Sequence, residues 1–246
     1  MDRDARSSAV SARGLTKTYG SLVALQDFSL EVEAGEIVAL VGPNGAGKTT
    51  ALTMLVGLLA PTLGESRIAG FDVTHQAVDA RRVMAFLPDQ PFVYESLTVG
   101  EILGFVGGLY HLQPSVLRSR ATQLLELFGL SEDVGRRVGQ LSFGMKSRLA
   151  LITSLLHEPR ALIMDEPFFG LDPQTLRLVK QLLQQRAKAG MAVILSTHQL
   201  PVVEDIADRI AILGHGRLLA LGPLDDLKRS HGDQRLEELY FRLTGA

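Results

Sequence analysis

The 246-residue chain contains no cysteine. Disulfides are therefore excluded as a source of stability, and a reducing compartment is compatible with the composition. An excess of either charge is also missing: 25 Lys and Arg stand against 27 Asp and Glu, a formal net charge of −2. That balance gives no electrostatic reason for a nucleic-acid partner, and none is expected. No uninterrupted apolar run approaches the roughly 20 residues of a membrane-spanning helix. The stretch LALITSLL (149–156) is too short and is interrupted by polar residues. The opening MDRDARSSAVSARG is charged and small, without the apolar centre of a secretory signal. Internal repeats and low-complexity segments are absent as well. A soluble chain is expected, one that could act at a membrane only through a partner.

What the chain does have is apolar material, 46% of its residues, enough to bury a substantial core. Short runs rich in branched residues recur: IVALV (37–41), VMAFL (83–87), ALIM (161–164), AVILS (192–196) and IAIL (210–213). Apolar throughout, they read as parallel strands buried on both faces. Helical patterns follow three of them, TTALTMLVGLL (49–59), TLRLVKQLLQQRAKAG (175–190) and LPVVEDIAD (200–208). This alternation predicts a doubly covered α/β sheet that binds ligands at the carboxyl ends of its strands. Ahead of it, residues 14–36 alternate and turn like an antiparallel β layer. Residues 98–140 are helical by pattern, so a helical lobe over 91–145 is expected to be inserted in a single domain spanning 1–246. Residues 1–13 are expected to form a flexible extension, and 223–246 a tail. In that tail Leu236, Leu239, Tyr240 and Leu243 fall at helical spacing, which fits a helix capping its own domain.

Two stretches carry chemistry on their own. GPNGAGKTT (42–50) matches G-x-x-x-x-G-K-[ST] directly after a strand and directly before a helix. Gly42, Gly45 and Gly47 let the backbone of Gly42, Pro43, Asn44, Gly45, Ala46 and Gly47 wrap around phosphate oxygens, and the helix N-terminus adds its positive dipole end. Lys48 supplies a point charge between the phosphates, with Thr50 next in the helix, and Thr49 is placed to ligate Mg²⁺. The second stretch, ALIMDEP (161–167), is an apolar strand that ends in two carboxylates. Asp165 at the strand end would hold a magnesium-bound water, and Glu166 would accept a proton from the water attacking the γ-phosphate. Together the two stretches predict a nucleoside triphosphatase.

A third stretch, LSFGMKSRL (141–149), places a glycine-centred polar turn ahead of another helix. Followed by the acidic strand, it resembles the LSGGQ-type turn of the ATP-binding cassette (ABC) ATPases, and the match runs from about Gly14 to about Gly222. The resemblance implies an ATPase using ATP and Mg²⁺, with two copies facing each other head to tail. Ser142 and Gly144 of one copy would then grip the γ-phosphate held by the other. It implies that Tyr19 stacks on adenine, that His198 contacts the γ-phosphate and positions the attacking water, and that Asp172 lies in the loop linking the two sites. The glutamine position near Mg²⁺ and the attacking water falls on Asp89 or on Gln90, with Gln90 favoured. Phe143 and Met145 depart from glycine and glutamine, and Phe169 departs from a small polar residue. The other five histidines form no metal-ligand spacing.

Length narrows the family. The chain after His198 is too short for an added regulatory domain, the motifs occur once, and the span from Lys48 to Asp165 leaves no room for a long coiled coil. The resemblance thus implies the stand-alone ATPase subunit of an exporter. Such a subunit is cytoplasmic, peripheral at the inner face of the membrane, and drives a separate transmembrane permease by ATP-dependent closure of the pair. The alternative is a soluble cassette acting in assembly or regulation without a membrane partner.

Overall fold

The computed structural model describes residues 8–90, 94–230, 232 and 235–245. The chain opens with β1 (Val10–Tyr19), β2 (Leu22–Val32) and β3 (Ile37–Val41), followed by α1 (Lys48–Leu55). Next come β4 (Leu63–Ile68), β5 (Phe71–Asp72), α2 (Ala77–Val83) and β6 (Met84–Leu87). Two helices, α3 (Val99–Leu109) and α4 (Pro114–Leu127), precede α5 (Phe143–Leu155). The remainder runs β7 (Ala161–Asp165), α6 (Pro173–Lys188), β8 (Ala192–Ser196), α7 (Leu200–Ile206), β9 (Arg209–Gly214), β10 (Arg217–Gly222), α8 (Leu224–Ser230) and α9 (Leu236–Thr244).

The strands form two sheets. A four-stranded antiparallel sheet has the order β2-β1-β4-β5, and a six-stranded sheet has the order β10-β9-β3-β8-β7-β6. In the larger sheet β6, β7, β8, β3 and β9 are parallel, and β10 returns antiparallel along β9. Side chains alternate between the faces of a strand, and here each face feeds its own core. Ile37, Ala39 and Val41 join Leu162, Met164, Val193 and Leu195 against the helices. Val38 and Leu40 join Ile163, Ile194 and Leu213 against α1 and the antiparallel sheet. Burial on both faces is what makes these strands read as continuous apolar runs.

The structure corrects several expectations. The helix after β3 stops at Leu55 rather than Leu59, because Gly57 turns left-handed with φ 71° against the Val73 carbonyl. Val83 closes α2, so the strand begins only at Met84. Of the segment expected as an extension, residues 1–7 lie outside the described residues, while Val10 already begins β1 with a fully buried side chain. The lobe holds α3, opened by a capping box between Thr98 and Glu101, and α4, opened by Pro114 at its first turn. Pro91, Phe92 and Val93 at the lobe's start lie outside the described residues. In the tail, Leu236 and Leu239 of α9 are buried in the helical core, with Tyr240 and Leu243 packed against it.

Candidate functional site: a phosphate-loop cavity at the strand ends

The loop of residues 42–47 joins the end of β3 to the start of α1. Gly47 caps the helix with φ 101°, and a Cβ there would lie 2.9 Å from the Ala24 carbonyl oxygen. With no side-chain cap, the first N–H groups of α1 are left to face a ligand. Lys48 is buried, 8% exposed, and its Nζ donates to the Gly42 carbonyl at 2.7 Å and the Pro43 carbonyl at 3.2 Å. Burial lowers its pKa, and the carboxylates of Glu166 and Asp165 pull it back up. The ammonium thus rests on two loop carbonyls at the floor of the loop.

The acidic pair sits beside this loop because β7 and β3 both flank β8 in the sheet. Asp165, 3% exposed, accepts from the Thr49 hydroxyl at 2.7 Å through Oδ2 and from the Ser196 hydroxyl through Oδ1. A hydroxyl and a carboxylate in contact are hard oxygen donors of the kind that hold Mg²⁺ together with waters and phosphates, so the residues present fit that ion. Glu166 leaves the strand in a left-handed conformation, φ 47°. Its N–H is held by Ser196 twice, by the carbonyl at 3.1 Å and by Oγ at 3.1 Å. Its Oε2 lies 2.9 Å from Nδ1 of His198, which follows β8.

A cavity of about 630 Å³ opens over these groups. Asn44, Gly45, Ala46, Gly47, Lys48, Thr49 and Thr50 line it together with Asp89, Asp165 and Glu166, and Leu22, Val23 and Ala24 form an apolar flank. A second cavity of about 480 Å³ adjoins it, sharing Asn44, Asp89 and Glu166 and adding Gln90, His198, Phe143 and Phe169. Asp89 therefore reaches both cavities and Gln90 one, while Asp89 Oδ1 accepts from the Gln90 N–H at 2.8 Å.

The other expected residues stand apart from the phosphate loop. Tyr19, 52% exposed, ends β1 paired with Leu22 and lies under the Lys17 ammonium, 5.2 Å from the ring centre. It is beside the apolar flank but not part of the cavity lining. Ser142 and Gly144 line neither cavity. The Ser142 hydroxyl caps α5, accepting from the Met145 N–H at 3.3 Å. Asp172 caps α6 through the N–H groups of Gln174 and Thr175 at 3.0 and 2.9 Å. The Thr175 hydroxyl bond lowers the Asp172 pKa most, with the two backbone bonds adding to it. Phe143 and Phe169 meet edge to face at 6.1 Å.

Ser196 escaped the sequence analysis. It is fully buried at the last position of an otherwise apolar strand, and that lone polar letter was the available signal. That Asp165 stands opposite it in the strand register was not legible.

A family model described as ABC transporter matches residues 25–169. The doxorubicin resistance ATP-binding protein DrrA of Mycobacterium tuberculosis is 38% identical over 227 residues, covering 92% of this chain and 69% of its own. A solved ATP-binding subunit of an ABC transporter superposes with a TM-score of 0.92 at 34% identity, covering 96% of this chain and 99% of that one. A dimeric bacterial ABC transporter cassette gives a TM-score of 0.79 at 27% identity, covering 87% of this chain and 98% of its own.

Proposed function

Because the chain belongs to the ABC transporter family of ATP-binding proteins, we propose that it is the ATP-hydrolysing subunit of an exporter, coupled to a separate membrane subunit. The observation that carries this reading is the meeting of phosphate loop, Asp165 and Glu166 at one cavity, with Glu166 bonded to His198 in the cavity that adjoins it. The drug-resistance role in the name of the similar mycobacterial protein supports export. Among the described residues no helix is long and apolar enough to cross a membrane, so the transport path belongs to the partner.

In this mechanism the triphosphate lies along the N–H groups of residues 45–50, and Lys48 transfers its donors from the loop carbonyls to phosphate oxygens. Thr49 and Asp165 would hold Mg²⁺, which would supply neutralising charge to the phosphate oxygens. Glu166 takes a proton from the attacking water, and its bond to His198 fixes the carboxylate's direction. Asp89 and Gln90 border the space that water would occupy. Tyr19 receives the adenine at the far end of the apolar flank. Ser142 and Gly144, which line neither cavity of their own chain, complete the cavity of a second copy, and the dimeric cassette of similar fold supports that pairing. Closure of the pair on ATP then moves the membrane subunit from its inner face.

The test is Glu166→Gln. Losing a general base lowers turnover by about 10²–10⁴-fold, while ATP affinity holds and the variant accumulates as a dimer on ATP. A variant that stays monomeric with ATP, or that hydrolyses at the wild-type rate, refutes the mechanism.

A further inference from the structure

The turn between β9 and β10 projects His215 into the cavity lining beside Gly216. We propose that His215 is a nucleotide-contacting residue whose imidazole hydrogen-bonds the ribose hydroxyls of ATP. The inference rests on the reading of the cavity as a nucleotide site.

Three observations carry it. The first is placement. The Gly216 N–H donates to the Ala46 carbonyl at 3.1 Å, and the Gln26 N–H donates to the Gly216 carbonyl at 2.7 Å. The backbone next to His215 is thus tied on one side to the phosphate loop and on the other to β2, the strand that carries Leu22, Val23 and Ala24. His215 sits where the phosphate end of the cavity meets its apolar flank, the place a sugar occupies between phosphates and base.

The second is presentation. His215 holds φ 49°, a left-handed conformation uncommon for a side-chain-bearing residue. Arg217 after it is anchored to the Gln26 side chain at 2.6 Å. The ring is exposed, and among the described residues it has no hydrogen-bond partner.

The third is chemistry. Leu22, Val23 and Ala24 bring no polar side chain to that flank, so a ribose lying against them would have hydroxyls without partners, each a cost when removed from water. A neutral imidazole carries one donor and one acceptor, which suits a vicinal diol.

The experiment measures calorimetric binding of ATP, 2′,3′-dideoxyATP and inorganic tripolyphosphate to wild type and to His215→Gly, a change that suits the left-handed backbone. The variant is expected to bind ATP about 2–10-fold more weakly, the worth of one net hydrogen bond. It should also lose the wild-type preference for ATP over the dideoxy nucleotide and keep its affinity for tripolyphosphate. Unchanged ATP affinity overturns the proposal, as does an equal loss on ATP and dideoxyATP. A wild-type protein that binds none of the three, or a Lys48→Ala variant that binds them all normally, would instead reject the nucleotide site itself.

Discussion

Ser196→Ala removes one hydroxyl from a fully buried position, and the surroundings fix what is lost. Asp165 keeps its bond from Thr49 at 2.7 Å but loses the one from Ser196. The Glu166 N–H loses Oγ but keeps the Ser196 carbonyl at 3.1 Å. The Glu166 N–H keeps one acceptor, so no backbone donor is orphaned and the main cost is the lost hydrogen bond to the carboxylate, about 1.5–3 kcal/mol. At this chain length each kcal/mol moves the melting temperature by about 2–4 °C, which places the fall at about 3–12 °C. Turnover should fall as well, because the left-handed Glu166 is then held by one bond instead of two, and such conformations persist only where neighbours over-determine them. ATP affinity should change little, since Lys48 and the loop are untouched. Thermal unfolding and steady-state ATPase assays on the same preparation read both effects. An unchanged melting temperature with unchanged turnover would refute the reasoning.

Other consequences are as direct. Gly170 has φ 71°, and a Cβ there would lie 2.7 Å from the Phe143 ring. Gly170→Ala should therefore destabilise the protein by more than the roughly 1–2 kcal/mol that left-handed backbone costs. In a Phe143→Ala background only the backbone share should remain, and equal costs in both backgrounds in denaturant melts would contradict the packing described. His157 stacks on Tyr110 at 3.6 Å, and its Nε2–H donates to the Met84 carbonyl at 3.0 Å. Burial lowers its pKa from the ordinary 6.5, the Met84 bond opposes this, and Arg120 adds to the lowering. The unfolded chain therefore takes up the proton first. The associated stability is complete above about pH 6.5 and is lost as pH falls through the lowered folded value. His157→Phe should flatten that part of the stability profile in thermal melts, and a profile of unchanged slope would remove His157 as its source.

Legibility in the sequence followed burial. The five parallel strands were readable because both of their faces enter a core. By contrast, β4 exposes most of LGESRI, β10 is an edge strand, and β5 has two residues. Neither β4 nor β5 presents a continuous apolar run, β10 offers only the short LLAL, and β4 pairs with β1, more than forty residues back along the chain. The phosphate loop was legible because its glycines and lysine are local. The Asp165–Ser196 contact was not, since it arises from strand register. Asp172 shows the reverse: an Asp-Pro pair ahead of a helical run is a helix-start signal, yet the resemblance drew attention to a role between copies, and within the chain the carboxylate caps α6.

The inserted lobe has one more consequence. Val99, Ile102 and Leu103 of α3 and Leu124 and Leu125 of α4 belong to the same buried cluster as Ile37, Leu162 and Val193 of the sheet. Among the described residues, the lobe's helices and the sheet thus share one apolar core. Any shift of the lobe against the sheet must therefore repack interlocked side chains and not merely open a solvent-filled gap, a cost that a loosely tethered lobe would escape.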